Sequence, residues 1–418
     1  MKILIVSAYF PPENSIASLR PYSWAKWWSR AGHDVTVLTT EKEMRANDLK
    51  LDCSGFKIVT GSNTSIYKKL MKNGEKSLFK KIELGFRLIF NRYLKGDGCF
   101  STCRFPDVHD IWAKRSIALV KNEKWDVVIS TGGPYSVHFV GYAIKKNNPS
   151  AKWIVDWRDL WTKNHLFEGF ILFRWYEKYL EKKFHRTADL ITTVSEPLAE
   201  TLRTMTSTPV LTITNGFDAD DFADIINKPR KINKKFIIVY AGSIYRGYRD
   251  PTPLFEAVKS LKEKKIISKN DLQIIFAGSP ATNMTEMAVA YGISEYFSYA
   301  GFLSREKVLK MQYDADALLF LEYNNPEVKG VLTGKIFEYI CLGREIWAIG
   351  IESDSSVGSL INESKTGVCF GTDSSKIEKY IVKSLKNRNE YKRNWKVINR
   401  YSRGVLAMEL LERIDLLK

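Results

Sequence analysis

Short apolar runs alternate with amphipathic stretches along almost the whole chain. Six strand-like runs lie in the first half, at 3–7, 35–39, 127–130, 153–156, 190–194 and 210–213. Four more follow, at 236–240, 272–277, 317–320 and 346–349. Runs this short and apolar, with helices between them, are typical of parallel sheets that are covered on both faces. We therefore predict an α/β protein with doubly wound parallel sheets.

A polar stretch separates the two series of runs. It holds three aspartates within 218–221 and a Lys- and Asn-rich run with one proline at 227–235. This composition is typical of a linker between domains. We therefore predict two Rossmann-like domains that face a central cleft. Their predicted bounds are 1–218 for the first domain, 219–235 for the linker and 236–389 for the second domain.

The last segment, 390–418, has its own pattern. Leu406, Leu410, Ile414 and Leu417 recur at helical spacing and form one apolar stripe. Such a stripe needs a surface to pack against. The segment therefore either closes the second domain or reaches back across the linker to the first.

Composition excludes several classes of protein. The chain has 418 residues and is 44% hydrophobic, so it can bury a large core and is not disordered throughout. No apolar run reaches the roughly 18 residues of a membrane-spanning helix. Five cysteines, an odd and sparse count, fit a reducing compartment, and Cys99 and Cys103 lack the second pair of a zinc site. We expect a cytoplasmic protein.

The net charge of +17 is concentrated in the N-terminal half. Residues 66–95 carry nine Lys or Arg and two Glu, with apolar residues at helical spacing. Basic amphipathic helices bind anionic membrane surfaces, so we predict peripheral attachment to the inner face of the cytoplasmic membrane. The alternative is an ordinary surface helix whose apolar side is core. Nucleic acid is not an expected partner, since no RNA-binding signature accompanies the segment.

Ligands of open parallel sheets bind beyond the carboxyl ends of the strands, so the loops there hold the candidate sites. After the first run, the small residues Ser15, Ala17 and Ser18 lead into a helix that contains Arg20. Such a loop lets a ligand approach the backbone and points amides at an anion. No GxGxxG fingerprint of dinucleotide binding is present in it.

Two further loops of the first half carry candidate residues. Gly132 and Gly133 form a turn before a helix whose first turn contains His138, which either faces the site or packs in the core. Asp156 and Asp159 flank Arg158 at the end of the next strand. Buried carboxylates are costly unless paired, so this cluster is either an internal ion-pair network or a site for substrate orientation or proton transfer.

The second half combines glycines with cations. Gly242 allows close approach of a ligand, and Arg246 and Arg249 offer planar guanidinium groups for phosphate. Thr333 can cap a helix that begins at Gly334 or Lys335. A helix N-terminus with a lysine is a favourable binding site for a diphosphate. Glu338, one turn further on, can accept the hydroxyls of a ribose. Ser243, Gly278 and Gly301 complete the set of residues that we predict for this phosphate-binding site.

These motifs together resemble family 4 glycosyltransferases, retaining enzymes of the GT-B fold. The matching stretches are 9–13, 31–38, 188–195, 215–218, 241–243 and 334–339, and their order and spacing are specific. The Trp-Arg-Asp-Leu-Trp stretch at 157–161 resembles a branch that builds bacterial capsule, O-antigen and exopolysaccharide. The resemblance implies transfer of a sugar from a UDP- or GDP-linked donor to a saccharide acceptor, in most cases lipid-linked.

The family's functional residues transfer only in part. Glu338 falls on the second glutamate of the family's two-glutamate motif, whereas the first falls on Gly330. The family's phosphate-binding arginine position is Ser243, and Arg249 best replaces its lysine. The family's cleft histidine has no clean match, and His138 lies a few residues later. The resemblance implies front-face displacement with retention, in which the departing phosphate accepts the proton, and no metal or other cofactor is expected.

Two other readings of the sequence stay open. A nucleotide-sugar 2-epimerase of the same fold would act on the donor without an acceptor. A non-catalytic partner protein would consume no donor, and Gly330 and Ser243 allow this alternative.

Overall fold

The computed structural model describes residues 1–42, 48–62, 103–164, 167–242, 249–278, 282–321, 333–388 and 392–417. The chain divides into two compact units. Unit 1 comprises Met1–Thr214 and Arg403–Lys418, and unit 2 comprises Asn215–Ser402. The change of unit therefore falls after Thr214, four residues before the predicted end of the first domain.

Unit 1 is built on a parallel sheet of seven strands. Its strands are β1 (Lys2–Val6), β2 (Asp34–Thr40), β3 (Lys57–Gly61), β4 (Val127–Thr131), β5 (Lys152–Trp157), β6 (Leu190–Thr193) and β7 (Val210–Thr212). Its helices up to residue 214 are α1 (Ile16–Arg30), α2 (Asp110–Val120), α3 (Val137–Asn147), α4 (Ile171–Thr187) and α5 (Glu196–Arg203). The strand order is β3-β2-β1-β4-β5-β6-β7.

Unit 2 repeats this plan with a parallel sheet of six strands. The strands are β8 (Phe236–Ala241), β9 (Leu272–Ala277), β10 (Phe297–Tyr299), β11 (Ala317–Leu321), β12 (Glu345–Ile349) and β13 (Gly367–Gly371), in the order β10-β9-β8-β11-β12-β13. The helices are α6 (Ala223–Ile226), α7 (Thr252–Glu263), α8 (Thr282–Ala290), α9 (Arg305–Asp314), α10 (Gly334–Leu342), α11 (Ser356–Ser364), α12 (Ser374–Lys386) and α13 (Trp395–Asn399).

Both faces of each sheet are covered, which explains why the central strands are apolar throughout. Ile3, Leu4, Ile5 and Val6 of β1 are all fully buried. Alternate residues of β1 belong to two different core clusters, one on each side of the sheet. In both units the strand order reverses beside the first strand, β1 or β8, and this reversal opens a crevice at the carboxyl ends of the strands.

The last helix, α14 (Arg403–Asp415), belongs to unit 1. Its apolar stripe packs on α1, where the indole Nε1 of Trp28 donates a hydrogen bond of 2.8 Å to the carbonyl of Ala407. Leu406, Leu410 and Ile414 share one core cluster with Trp28. The short helix α13 stays with unit 2, so the C-terminal segment is divided between the two units.

No helix in the described ranges is long and apolar enough to cross a membrane. The basic segment 66–95 lies outside those ranges.

Candidate functional site

In unit 1, Asp156 lies at the carboxyl end of β5 and is fully buried. Its Oδ1 accepts hydrogen bonds from Arg20 Nη2 at 2.8 Å and Thr192 Oγ1 at 2.7 Å. Its Oδ2 accepts from Arg20 Nε at 3.1 Å and Thr131 Oγ1 at 2.7 Å. Burial acts to raise the pKa of this carboxyl, but Arg20 and the hydrogen bonds outweigh it, so the pKa is lowered. Asp156 is therefore an ionised anchor between β4, β5, β6 and α1.

This arrangement fits the ion-pair alternative for Asp156, and its catalytic role stays a prediction. Each carboxylate oxygen already accepts two hydrogen bonds, and no part of the side chain is exposed. Arg20 was predicted to belong to the ligand-binding loop after β1. In the structure it is part of the same hydrogen-bond network as Asp156, and its Nη1 donates to the carbonyl of Thr214 at 2.9 Å. Both residues hold the strand ends of unit 1 together.

Arg158 and Asp159 differ from Asp156 in their access to ligand. Arg158 Nε donates to Thr131 Oγ1 at 3.0 Å and lies 4.0 Å from Asp156 Oδ2. Among the described residues, its buried Nη2 finds no hydrogen-bond partner, and burial lowers its pKa to about 10. Asp159 is exposed. An arginine with a spare donor next to an exposed carboxylate can bind and orient a polar ligand.

His138 lies in the first turn of α3 and is fully buried. Its Nδ1 is hydrogen-bonded to Ser130 Oγ at 2.8 Å, and its ring centroid lies 4.2 Å from that of Trp157. Burial lowers its pKa to about 3, so the imidazole is neutral at physiological pH. A Cβ added at Gly132 would lie 3.1 Å from His138 Nε2, so the turn after β4 passes close to the ring. The structure places His138 in the core, which fits the packing alternative, and its Nε2 has no hydrogen-bond partner among the described residues. Its catalytic role stays a prediction.

The other predicted loop residues of unit 1 form the start of α1 and the turn after β4. Ser15 is the N-cap of α1, and its side chain accepts a hydrogen bond of 3.2 Å from the amide of Ala17. Ser18 is buried, and its hydroxyl has no partner in the described part of the chain. Gly132 donates its amide to the carbonyl of Asp156 at 2.8 Å, and Gly133 follows it in the turn.

In unit 2, Lys335 lies next to Gly242, the residue that follows β8. A Cβ added at Gly242 would lie 2.6 Å from Lys335 Nζ, and Gly242 has a φ of +142°, which favours glycine. The ammonium group lies 4.4 Å from the ring centroid of Tyr240. Lys335 belongs to the first turn of α10, whose N-cap is Thr333. The helix N-terminus, the lysine and a bare backbone therefore meet at the carboxyl end of β8.

Gly242, Gly278 and Gly301, which lie just after β8, β9 and β10, are close to one another. A Cβ at Gly278 would lie 2.1 Å from the carbonyl oxygen of Gly242, so no larger residue fits without a shift of the backbone. The amide of Gly278 donates to the carbonyl of Gly301 at 3.0 Å. The three glycines, predicted separately from the sequence, thus lie together at the carboxyl ends of these strands, and each is half-buried.

Glu338 lies one turn beyond Lys335 in α10 and is held by a residue that the sequence reasoning missed. Arg305 Nη1, at the start of α9, donates to Glu338 Oε1 at 2.8 Å, with 27% and 18% of the two side chains exposed. Burial acts to lower the pKa of Arg305, but Glu338 outweighs it and leaves that pKa raised. The pair fixes a carboxylate whose second oxygen can accept ligand hydroxyls.

The structure describes only part of the predicted donor set. Arg249 is half-buried in the segment before α7, and Gly334 begins α10. Ser243, Arg246 and Gly330 lie outside the described residues. Within those ranges no group of three or more His, Cys, Asp or Glu side chains is arranged to hold a metal ion.

Solved structures of glycosyltransferases resemble this chain over its full length. OtsA, a trehalose-6-phosphate synthase, is 10% identical, with 100% of both chains covered and a TM-score of 0.66. WaaB, a lipopolysaccharide outer core galactosyltransferase, is 11% identical, with 99% of both chains covered and a TM-score of 0.59. A variant of TarM from S. aureus, in complex with fondaparinux, α-GlcNAc-glycerol and UDP, is 10% identical, with 99% of this chain and 100% of TarM covered and a TM-score of 0.59. At these identities the likeness shows the fold, which is GT-B.

Two family models match the sequence. The glycosyl transferase 4-like domain matches residues 18–216, and the model of glycosyl transferases group 1 matches residues 221–400. No curated protein matches the sequence significantly. The two models together span almost the whole chain, and their boundary falls close to the boundary between the units. The chain belongs to the group 1, family 4 glycosyltransferases of the GT-B fold.

Proposed function

We propose that this enzyme is a retaining glycosyltransferase that moves a sugar from a nucleotide-sugar donor to a lipid-linked saccharide in bacterial surface polysaccharide biosynthesis. One observation carries the donor half of the proposal: Lys335 lies over Gly242, and the Glu338–Arg305 pair lies one turn further along α10. Unit 2 would bind the nucleotide, and unit 1 the acceptor.

The chemistry of the unit 2 cluster suits a nucleoside diphosphate. Gly242 leaves the space beside the Lys335 ammonium without a side chain, and Gly278 lets the two strand ends approach each other closely. The N-terminus of α10 and the Lys335 ammonium supply positive charge to the same place. Glu338, fixed by Arg305, accepts the two ribose hydroxyls. Arg249 adds a second cation from the segment before α7.

The proposed reaction balances without a strong protein base. The acceptor hydroxyl oxygen forms a bond to the anomeric carbon on the face from which the diphosphate departs. The bond between that carbon and the phosphate oxygen breaks, and its electron pair leaves with the diphosphate. The hydroxyl proton passes to the departing phosphate oxygen. Lys335 and Arg249 stabilise the negative charge that develops on the leaving group.

Arg158 and Asp159 are the proposed acceptor-side residues. Arg158 has a buried donor without a partner among the described residues, and Asp159 is exposed beside it. Together they can hydrogen-bond two hydroxyls of a sugar and orient a third for attack. The proposal of a saccharide acceptor on a lipid is supported by the family resemblance of residues 157–161, and WaaB acts on the outer core of lipopolysaccharide.

The donor site is tested by calorimetric titration of UDP, GDP and the corresponding nucleosides. Lys335→Met should weaken binding of the diphosphate about tenfold or more, because it removes a charge-assisted contact worth about 1.5–3 kcal/mol. Binding of the nucleoside should hardly change. Lys307→Met, at an exposed lysine of α9, is the matched control. Equal losses for nucleoside and diphosphate would remove Lys335 from the phosphate site.

The acceptor class needs a separate assay. A radiolabelled UDP- or GDP-sugar is incubated with the enzyme and a bacterial lipid extract, and label in the organic phase marks a lipid-linked product. Consumption of donor at the same rate without any acceptor would favour an epimerase or hydrolase. No consumption of any donor, with or without extract, would indicate a non-catalytic protein.

A further inference from the structure

Helix α4 of unit 1 exposes a face that is both apolar and basic. Ile171, Leu172, Trp175 and Tyr179 are exposed to 67%, 64%, 69% and 55%. Lys178, Lys182 and Arg186 are the exposed basic residues of the same helix. At 3.6 residues per turn all seven lie within an arc of about 120°, and we name this set the α4 face.

The acidic residues of α4 point the other way. Glu177 is fully buried and pairs with Arg104 at 2.8 Å, and Glu181 is buried and accepts a hydrogen bond from the amide of Thr162 at 3.3 Å. Glu168, an exposed carboxylate just before the helix, is paired with Arg174 at 2.8 Å. The α4 face therefore presents three positive charges and no negative one.

A comparison with α12 of unit 2 shows what is unusual. Lys379, Lys383 and Lys386 form an equally basic exposed row on α12. None of the large hydrophobic residues of α12 is exposed; Ile377 and Ile381, for example, are buried. Helix α12 thus has an ordinary solvated face, whereas α4 adds four large apolar side chains, one of them tryptophan. Single exposed apolar residues are common on proteins, but a contiguous group beside basic residues marks an interaction surface.

We propose that the α4 face binds the surface of an anionic lipid bilayer. Trp175 and Tyr179 would enter the headgroup region, where amphipathic aromatic rings are favoured, together with Ile171 and Leu172. The basic side chains would contact lipid phosphates through flexible stems. This surface deepens the proposed function, since a lipid-linked acceptor requires the enzyme at a membrane. It is separate from residues 66–95.

The test is co-sedimentation of the full chain with vesicles of phosphatidylcholine alone or of phosphatidylcholine and phosphatidylglycerol in equal parts. Wild type should bind the anionic vesicles and should be released by high salt, because screening shortens electrostatic attraction. At about 1 kcal/mol per basic residue, the triple substitution Lys178→Gln, Lys182→Gln, Arg186→Gln should weaken this binding on the order of a hundredfold. The double substitution Trp175→Ala, Tyr179→Ala should weaken it about tenfold.

Two matched controls should bind like wild type. The first replaces Lys379, Lys383 and Lys386 by Gln and removes the same charge from α12. The second is Trp395→Ala, at a tryptophan of α13 that is 50% exposed. Wild type that ignores anionic vesicles, or α4 variants that sediment like wild type, would overturn the proposal. If the variant Trp175→Ala, Tyr179→Ala changes from dimer to monomer while vesicle binding stays intact, the α4 face binds a second copy of the chain and the proposal is overturned.

The same variants separate this proposal from the function proposed above. Calorimetric binding of UDP or GDP should be unchanged in both α4 variants, because no α4 residue belongs to the unit 2 cluster. If vesicle binding depends on α4 but no nucleotide binds to wild type, the membrane surface stands and the donor site fails. If nucleotide binds to wild type and vesicles do not, the donor site stands and the membrane surface fails.

Discussion

The two parallel sheets end differently at corresponding places. In unit 1 the strand ends around Asp156 are closed, since every carboxylate oxygen is paired with Arg20 or a threonine inside the protein. In unit 2 the strand ends around Gly242 are lined by glycines and by Lys335, whose ammonium lies beside Gly242. The same topology therefore supplies a crevice twice. Around Asp156 the protein's own side chains fill it, whereas Arg158 and Asp159 in unit 1 and the region of Gly242 in unit 2 are the parts proposed to meet a ligand.

The difference has an electrostatic cause. A buried carboxylate is tolerated only with partners that offset its lost hydration, and Asp156 has them. At the unit 2 cluster the N-terminus of α10 and Lys335 concentrate positive charge that an anionic ligand can balance. We expect substitutions in the closed region to change stability first and those in the open region to change ligand affinity first.

The largest expected effect is on stability, from Asp156→Asn. The variant leaves the guanidinium of Arg20 buried without its counter-charge, which should lower the free energy of unfolding by about 3–5 kcal/mol. Denaturant unfolding monitored by circular dichroism measures it. Asp159→Asn, on the exposed side of the same loop, should change stability by less than about 0.5 kcal/mol while it lowers turnover. A stable Asp156→Asn variant that has lost turnover would support the predicted catalytic role of Asp156. It would also contradict the view that the unit 1 strand ends around Asp156 are closed to ligand.

The next effect is on affinity, from Glu338→Gln in unit 2. The substitution removes the charge that accepts ribose hydroxyls and that pairs with Arg305, so nucleotide affinity should fall about tenfold or more. The fold should survive, because both side chains are partly exposed. Calorimetric titration of UDP and GDP measures the change, and Glu306→Gln, at an exposed residue of α9, is the control. Unchanged affinity would show that the carboxylate contacts no ligand.

A smaller and mixed effect is expected from Gly278→Ala. The new Cβ must displace the carbonyl of Gly242, 2.1 Å away, at a cost of about 1–3 kcal/mol in stability. Diphosphate affinity should fall too, since the displaced loop is the proposed phosphate contact. Gly292→Ala is the control: its Cβ meets nothing within 4 Å, so it reports backbone strain alone at a φ of +69°. Equal losses of affinity in both variants would show that the close approach of Gly278 to the carbonyl of Gly242 is not what diphosphate binding requires.

Much of the fold could be predicted from the sequence because its central strands are apolar on both faces. The sequence did not predict strands β3, β10 and β13, which lie at sheet edges. Strands β3 and β10 are mostly exposed or half-buried, and the apolar run of β13 is only three residues long, 368–370, between two glycines. The stripe from Leu406 to Leu417 predicted a helix, but only the structure shows that it packs against α1.

The site was less accessible to sequence reasoning because its contacts join distant residues. Glu338 and Lys335 could be named from a motif on one helix. Arg305 could not, since it lies 33 residues from Glu338 and belongs to no motif. The two alternatives for Asp156 stayed open for the same reason, because its partner Arg20 is 136 residues away.

The smallest effect, and the sharpest check on the closed region, concerns the protonation of His138. Burial lowers its pKa to about 3, so its ring signals in NMR spectra should not shift between about pH 5 and pH 8. In the chain unfolded by urea the same imidazole should titrate near 6.5. Because the folded-state pKa is the lower one, the contribution of His138 to stability is complete above about pH 6.5 and declines as the pH falls towards 3. Titration of the folded-state ring near neutral pH would mean that water or a ligand reaches it, and the strand ends of unit 1 would then be as open as those of unit 2.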